Sequence, residues 1–198
     1  LLRLERGALV AWVTADANDD RTRFAEALAH AMRVASGRAV FATVSAQYST
    51  GTEGEFDALT GVLAEIANLA TPTGGIIDDA ERLPEATVRE ALAYLLHNAP
   101  PNLQVVIGTR ATLPLPIADL AAHGQLAELR TSDLRLTLDE SVAILGKRFG
   151  KRLSLDDCVR LHEATEGWPI GLQLAATAIE RESDLHAAGL SVSGRKGD

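Results

Sequence analysis

Apolar positions follow two different spacings along this chain, and the change between them divides it. Up to about residue 135 short continuous apolar runs alternate with helical patterns; beyond it only helical spacing remains. Leu9-Val10-Ala11-Trp12-Val13 is the first such run, as expected of a strand covered on both faces. Asp16, Asn18, Asp19 and Asp20 follow. Phe24, Leu28, Ala31 and Met32 then recur at helical intervals, which predicts a helix over 21–34 capped by Asp19 or Asp20. Residues 36–47 fit either a strand or a helix, and 48–54 read as a loop. Phe56, Leu59, Leu63, Ile66 and Leu69 mark a second amphipathic helix. Thr71-Pro72 sets its end, because a residue before proline is pushed out of the helical region.

A short run, Ile76-Ile77, then ends in Asp78-Asp79 and passes into a helix opened by Pro84 and striped with Val88, Leu92, Leu95 and Leu96. Gly74 and Gly75 stand where apolar strand residues are expected, which weakens this strand. Leu103-Gln104-Val105-Val106-Ile107-Gly108-Thr109 is the clearest buried strand and ends at Arg110. A short helix over 117–123, closed by Gly124, and a further strand over 126–129 complete the first part. Strands alternating with helices predict a mostly parallel sheet with right-handed crossovers.

Past residue 135 the strands stop. Thr137-Leu138-Asp139-Glu140 is a capping box opening a helix with Val142, Leu145 and Phe149. Ser154 caps a second helix with Leu155, Val159 and Leu161. Gly167-Trp168-Pro169 breaks the pattern before a third helix over 169–182. The organisation read from the pattern is an α/β domain over 1–135, a small all-helical subdomain over 136–183, and a disordered tail over 184–198.

Composition narrows the function classes. Hydrophobic residues make up 46% and aromatics only 4%, which favours helices packed on a sheet over a β-sandwich. The net charge of -8 argues against a nucleic-acid surface within this segment. Cys158 is the only cysteine, so no disulfide framework or cysteine metal site can form, and a reducing cytoplasm fits. No apolar run approaches the ~20 residues of a membrane helix, and no signal peptide is evident. The first residue is Leu1, so the chain is expected to begin inside a longer protein.

The candidate chemistry centres on Asp78 and Asp79. In a parallel α/β sheet ligands bind just outside the carboxyl ends of the strands, where two acids can hold Mg2+ and polarise a water. The same pair also suits a plain turn or helix N-cap. His97 reads as a favourable helix-end side chain and not as a ligand.

Several segments together carry a family resemblance. Leu115-Pro116-Ile117-Ala118, Gly124-Gln125-Leu126-Ala127-Glu128-Leu129-Arg130, the continuation from Asp133 to Glu140, and Thr165-Glu166-Gly167-Trp168-Pro169-Ile170-Gly171-Leu172 resemble the large ATP-dependent transcription regulators of the LuxR type. That group, the maltose-regulon-activator-like STAND class of P-loop NTPases, also shows likeness at Ala11-Trp12-Val13 and the acidic loop before Phe24. The likeness covers most of residues 8–182. It implies a P-loop NTPase-type parallel sheet and a helical subdomain that close over ATP and Mg2+ to transmit a signal. By resemblance, Asp78 is the Walker B acid that holds the metal through water. Asp79 orients the attacking water, and Arg110 senses the γ-phosphate, a task suited to a planar fork of donors that stays charged. Pro169, within Gly167-Trp168-Pro169, packs against the nucleotide. Plainer roles remain open for Arg110, as a strand-end charge, and for Pro169, as a first-turn proline. The resemblance also implies a cytoplasmic parent whose contact with DNA runs through a C-terminal helix-turn-helix absent from this chain. It leaves self-association of the parent open.

One part of the machinery is missing. A P-loop needs G-x-x-x-x-G-K-[ST], so that backbone N–H groups, a lysine and a hydroxyl can gather the phosphates and Mg2+. Of the two Gly-Lys pairs, Gly146-Lys147 has Ser141 in the first glycine position and Gly150-Lys151 has Leu145; Arg148 and Arg152 follow the lysines. Neither is a P-loop. The resemblance puts that loop, with the central first strand, just before residue 1. The chain alone is therefore expected to bind ATP poorly and to be marginally stable. The alternative reading is a protein–protein interaction or regulatory module that does not bind nucleotide.

Overall fold

Three parallel strands form the sheet of the computed structural model, which describes residues 7–43 and 54–193. β1 (Leu9–Thr14), β2 (Thr73–Asp78) and β3 (Leu103–Ile107) lie in that order, with Leu9 opposite Thr73 and Thr73 opposite Leu103. With α1 (Arg21–Ser36) and α2 (Gly54–Ala67) between β1 and β2, and a helix over 85–97 between β2 and β3, the fold is α/β. Residues 40–43, which the apolar pattern left ambiguous, are helical; the expected loop at 48–54 lies, up to residue 53, outside the described residues.

Residues in register share a face of a parallel sheet. Ala11 and Val13, with Ile77 and Leu103, lie on the buried face. They join Phe24, Leu28 and Met32 of α1, Leu59, Val62 and Ile66 of α2, and Val88, Leu92 and Leu95 in one core. The other face carries Val10 and Trp12, 44% and 57% exposed, with half-buried Ile76 and Val106 in register beside Trp12. The expectation that the first strand is covered on both faces is thus corrected. Both crossovers step the same way across the sheet, and connections of one hand then bring their helices to one side.

The local signals explain most boundaries. Asp20 caps α1, its side chain accepting the Arg23 N–H, and Gly37 closes it in the left-handed conformation. Gly74 and Gly75 both lie within β2, where a strand on either side pairs with them. The third helix, α3 over 85–97, departs from ideal geometry. Between Glu85–Thr87 and Ala93–His97 it widens into a π turn over Val88–Leu92, where the Ala93 N–H reaches the Val88 carbonyl. His97 ends that helix with its ring Nδ1 2.8 Å from the Ala93 carbonyl, a helix-end role as expected. α4 (Ala118–Ala122) follows. The strand expected over 126–129 is not formed: Leu126 and Leu129 are 41% and 70% exposed, and no described strand pairs with them.

The chain separates into two units at Ala127 and Glu128, ahead of the expected boundary at 135. The intervening residues bond within the second unit: α5 (Thr131–Leu134) lies there, the Arg135 guanidinium meets Glu166 at 3.1 Å, and the Leu136 N–H donates to the Gly167 carbonyl at 2.8 Å. α6 (Leu138–Phe149), α7 (Leu155–Thr165) and α8 (Pro169–Ser193) bury Leu145, Phe149, Cys158, Leu172 and Ala176 in a small core of their own. Thr137 and Ser154 each form a capping box, with Glu140 and Asp157 respectively. α8 has its end at Ser193, within the 184–198 stretch expected as a tail. Residues 194–198 lie outside the described residues. No helix among the described residues is long and apolar enough to cross a membrane.

Candidate functional site

Asp78 is the last residue of β2, at the carboxyl edge of the sheet. Its carbonyl accepts the Ala15 N–H at 2.9 Å from the end of β1, and its Oδ1 accepts the Asp79 N–H at 3.0 Å. The chain then turns sharply. Asp79 takes the left-handed conformation, φ 52° and ψ 38°, uncommon for a residue with a side chain but tolerated best by Asp and Asn. A 3-10 turn over Ala80–Arg82 follows.

The end of β3 is tied to this turn. The Gly108 N–H donates to the Ile77 carbonyl at 2.8 Å, and the Gly108 carbonyl accepts the Ala80 N–H at 2.9 Å. A β-carbon on Gly108 would sit 2.8 Å from Asp78 Oδ1, closer than such atoms approach. Arg110 lies beyond β3 with its side chain 85% exposed. Its guanidinium stands 3.6 Å from Asp79 Oδ1 and 3.8 Å from Glu81 Oε1, and its backbone N–H donates to Glu81 Oε2 at 3.3 Å. Three of the candidate residues, Asp78, Asp79 and Arg110, are therefore brought to one edge.

Glu81 and Asp16 belong to the same edge, although the sequence pattern did not single them out for a role. The Glu81 carboxyl is held below its usual range, chiefly by its own backbone N–H, then by the amide and charge of Arg110; burial opposes these. Asp16 is lowered chiefly by hydrogen bonds from Asn18, and Arg82 meets it at 2.9 Å. The signal for both was present as carboxylates in the turns that follow β1 and β2. For Gly108 it was a glycine at the end of an otherwise bulky apolar strand.

Gly167, Trp168 and Pro169 lie in the second unit and form the joint between α7 and α8. Glu166 and Gly167 both have positive φ, 50° and 72°. A β-carbon on Gly167 would be 2.5 Å from the Leu136 carbonyl oxygen, so only glycine fits. Pro169 opens α8, a position where a missing N–H costs nothing. It is exposed, and Trp168 is 38% exposed. Beneath the joint, buried Ser141 and His162 Nδ1 are hydrogen-bonded at 2.9 Å.

No family model matches the chain. Similarity to individual proteins is extensive. The serine/threonine-protein kinase PknK of Mycobacterium tuberculosis is 32% identical over 183 residues, 90% of this chain and 16% of that protein. The HTH-type transcriptional regulator MalT of Serratia proteamaculans is 28% identical over 194 residues, 92% of this chain and 21% of the regulator. MalT of Yersinia enterocolitica is 28% identical over 193 residues, with the same shares. The chain thus spans about a fifth or less of the length of these curated relatives. Along nine-tenths of its own length it is similar to both kinds of protein.

Proposed function

We propose that this chain is part of the ATP-dependent switch region of a LuxR-type transcriptional regulator, with a P-loop NTPase-type sheet completed by an upstream P-loop segment. The observation that carries the reading is the meeting of Asp78, Asp79 and Arg110 at the carboxyl ends of adjacent parallel strands, where such sheets bind ligands. That similar stretches occur in a protein named a kinase and in one named a transcriptional regulator also fits a switch module.

Among the described residues no three His, Cys, Asp or Glu side chains converge to hold a metal. This donor set suits Mg2+, which takes one or two carboxylates and fills its remaining positions with water and substrate phosphate. Bound there, Mg2+ would neutralise phosphate charge. Asp78 would hold it through water, Asp79 would orient the attacking water, and Arg110 would offer its donors to the γ-phosphate. In the second unit, exposed Trp168 and Pro169, beside buried Gly167, are the residues to which the resemblance would assign nucleotide contact. In the parent, DNA binding would belong to a helix-turn-helix elsewhere, and the location would be cytoplasmic.

The test is Mg·ATP titration of the full-length protein by calorimetry. Asp78→Asn is expected to lower Mg2+-dependent binding or hydrolysis at least tenfold, about 1.4 kcal/mol. Unchanged behaviour overturns the Walker B role. Because neither Gly-Lys pair in this chain is a P-loop, a second reading stands beside the first: a regulatory interaction module without nucleotide. Absence of any binding by the full-length wild type would favour it.

A further inference from the structure

We propose that Glu81 is the positioning residue of Arg110, acting through the arginine main chain; the proposal rests on the nucleotide-switch reading. The two partners differ in freedom. Arg110 is 85% exposed at its side chain, whereas Glu81 is 22% exposed. Glu81 rides on the turn after β2, and that turn is pinned: the Ala80 N–H donates to the Gly108 carbonyl, the Arg82 N–H to the Asp79 carbonyl, and the Leu83 N–H to the Ala80 carbonyl. The carboxylate then spans to the segment after β3. Oε2 accepts the Arg110 N–H at 3.3 Å, while Oε1 faces Nε of the same residue at 3.8 Å.

The two contacts serve different ends. The first fixes where the Arg110 backbone lies relative to Asp78 and Asp79, since both sides of the bond are tied to Gly108 or its neighbours. The second, together with the 3.6 Å approach of Asp79, keeps the guanidinium over the carboxylates. An ion pair this exposed is worth little. The guanidinium can therefore turn to an anionic phosphate at small cost while Glu81 retains the backbone. Arg82, the other cation of the turn, is engaged by Asp16 at 2.9 Å, which leaves Glu81 to Arg110.

The experiment compares Mg·ATP and Mg·ADP affinity in full-length wild type, Glu81→Ala and Glu81→Gln, alongside amide hydrogen exchange at Arg110. Glutamine keeps an acceptor for the amide and loses the charge; alanine loses both. Glu81→Ala is expected to reduce the preference for ATP over ADP by up to about tenfold, the size of one net hydrogen bond to the Arg110 amide, with ADP affinity little changed and the Arg110 amide exchanging faster. Glu81→Gln is expected to restore both. Retention of the wild-type preference in Glu81→Ala, equal loss of ATP and ADP binding, or the same defect in Glu81→Gln as in Glu81→Ala overturns the proposal. If the wild type binds neither nucleotide, the switch reading fails by itself. The amide then decides the positioning role, and unchanged exchange in Glu81→Ala overturns it.

Discussion

Gly108 and Asp78 are fitted to each other: the position a β-carbon would take on Gly108 is 2.8 Å from the Asp78 carboxylate oxygen. The end of one strand is bare so that the acid at the end of its neighbour can lie across it. A branched side chain there must displace the carboxylate or the strand end. Gly108→Val is expected to cost about 1–3 kcal/mol, the range for overpacking, read as a lower urea midpoint at unchanged slope.

Asp79 tests strain separately from chemistry. Its left-handed backbone disfavours a β-branched side chain. Asp79→Val is expected to lose ~1–3 kcal/mol, whereas Asp79→Gly is expected to stay within ~1 kcal/mol of wild type, relief of strain offsetting the entropy of glycine. Thermal unfolding of the two variants, followed by circular dichroism, checks the order. An Asp79→Val protein as stable as wild type would contradict the assigned conformation.

In the second unit the sensitive glycine is Gly167. Alanine there meets both a positive φ of 72° and the Leu136 carbonyl oxygen, which is backbone and cannot swing aside. Gly167→Ala is expected to destabilise by about 2–3 kcal/mol. Hydrogen exchange should show the loss in α6, α7 and α8, with protection of β1, β2 and β3 retained.

Acid sensitivity in the same unit follows from its caps. Glu140 is held below the usual glutamate value of 4.5 by hydrogen bonds from the backbone and side chain of Thr137. Asp157 is held below 3.8 by the Ser154 side chain and backbone. Folded-state values below the unfolded ones mean these carboxylates stabilise the unit fully above about 4.5 and 3.8, and the contribution fades as pH falls through the lower folded values. Glu140→Gln with Asp157→Asn is expected to flatten the acid limb of the stability profile below those values. Denaturant midpoints measured at descending pH provide the check.

The periodic pattern located β1, β2, β3 and the longer helices because each carries a one-sided or continuous apolar run. It misjudged features that depend on partners. The apolar run from Leu9 to Val13 looks covered on both faces, yet alternate residues differ: Ala11 and Val13 join the core, while Val10 and Trp12 are exposed. Residues 126–129 resemble a strand but have no described ladder to join. The π turn over Val88–Leu92 leaves no composition mark, since the apolar stripe continues across it. At the site, Asp78, Asp79 and Arg110 were legible as strand-end charges. The Glu81 contact was not, because it depends on the left-handed turn at Asp79 folding the chain back toward β3.

The register also bears on the order in which the sheet assembles. Leu9 must find Thr73, whereas Thr73 finds Leu103 across roughly half as much chain. Loop closure favours the shorter search by about 0.6 kcal/mol for each doubling of length, and nearer contacts form sooner. The strand bearing Asp78 and the one leading to Arg110 thus meet first, and β1 is the late arrival. When the complete chain refolds, its acid-and-arginine corner would then form before β1 joins the sheet.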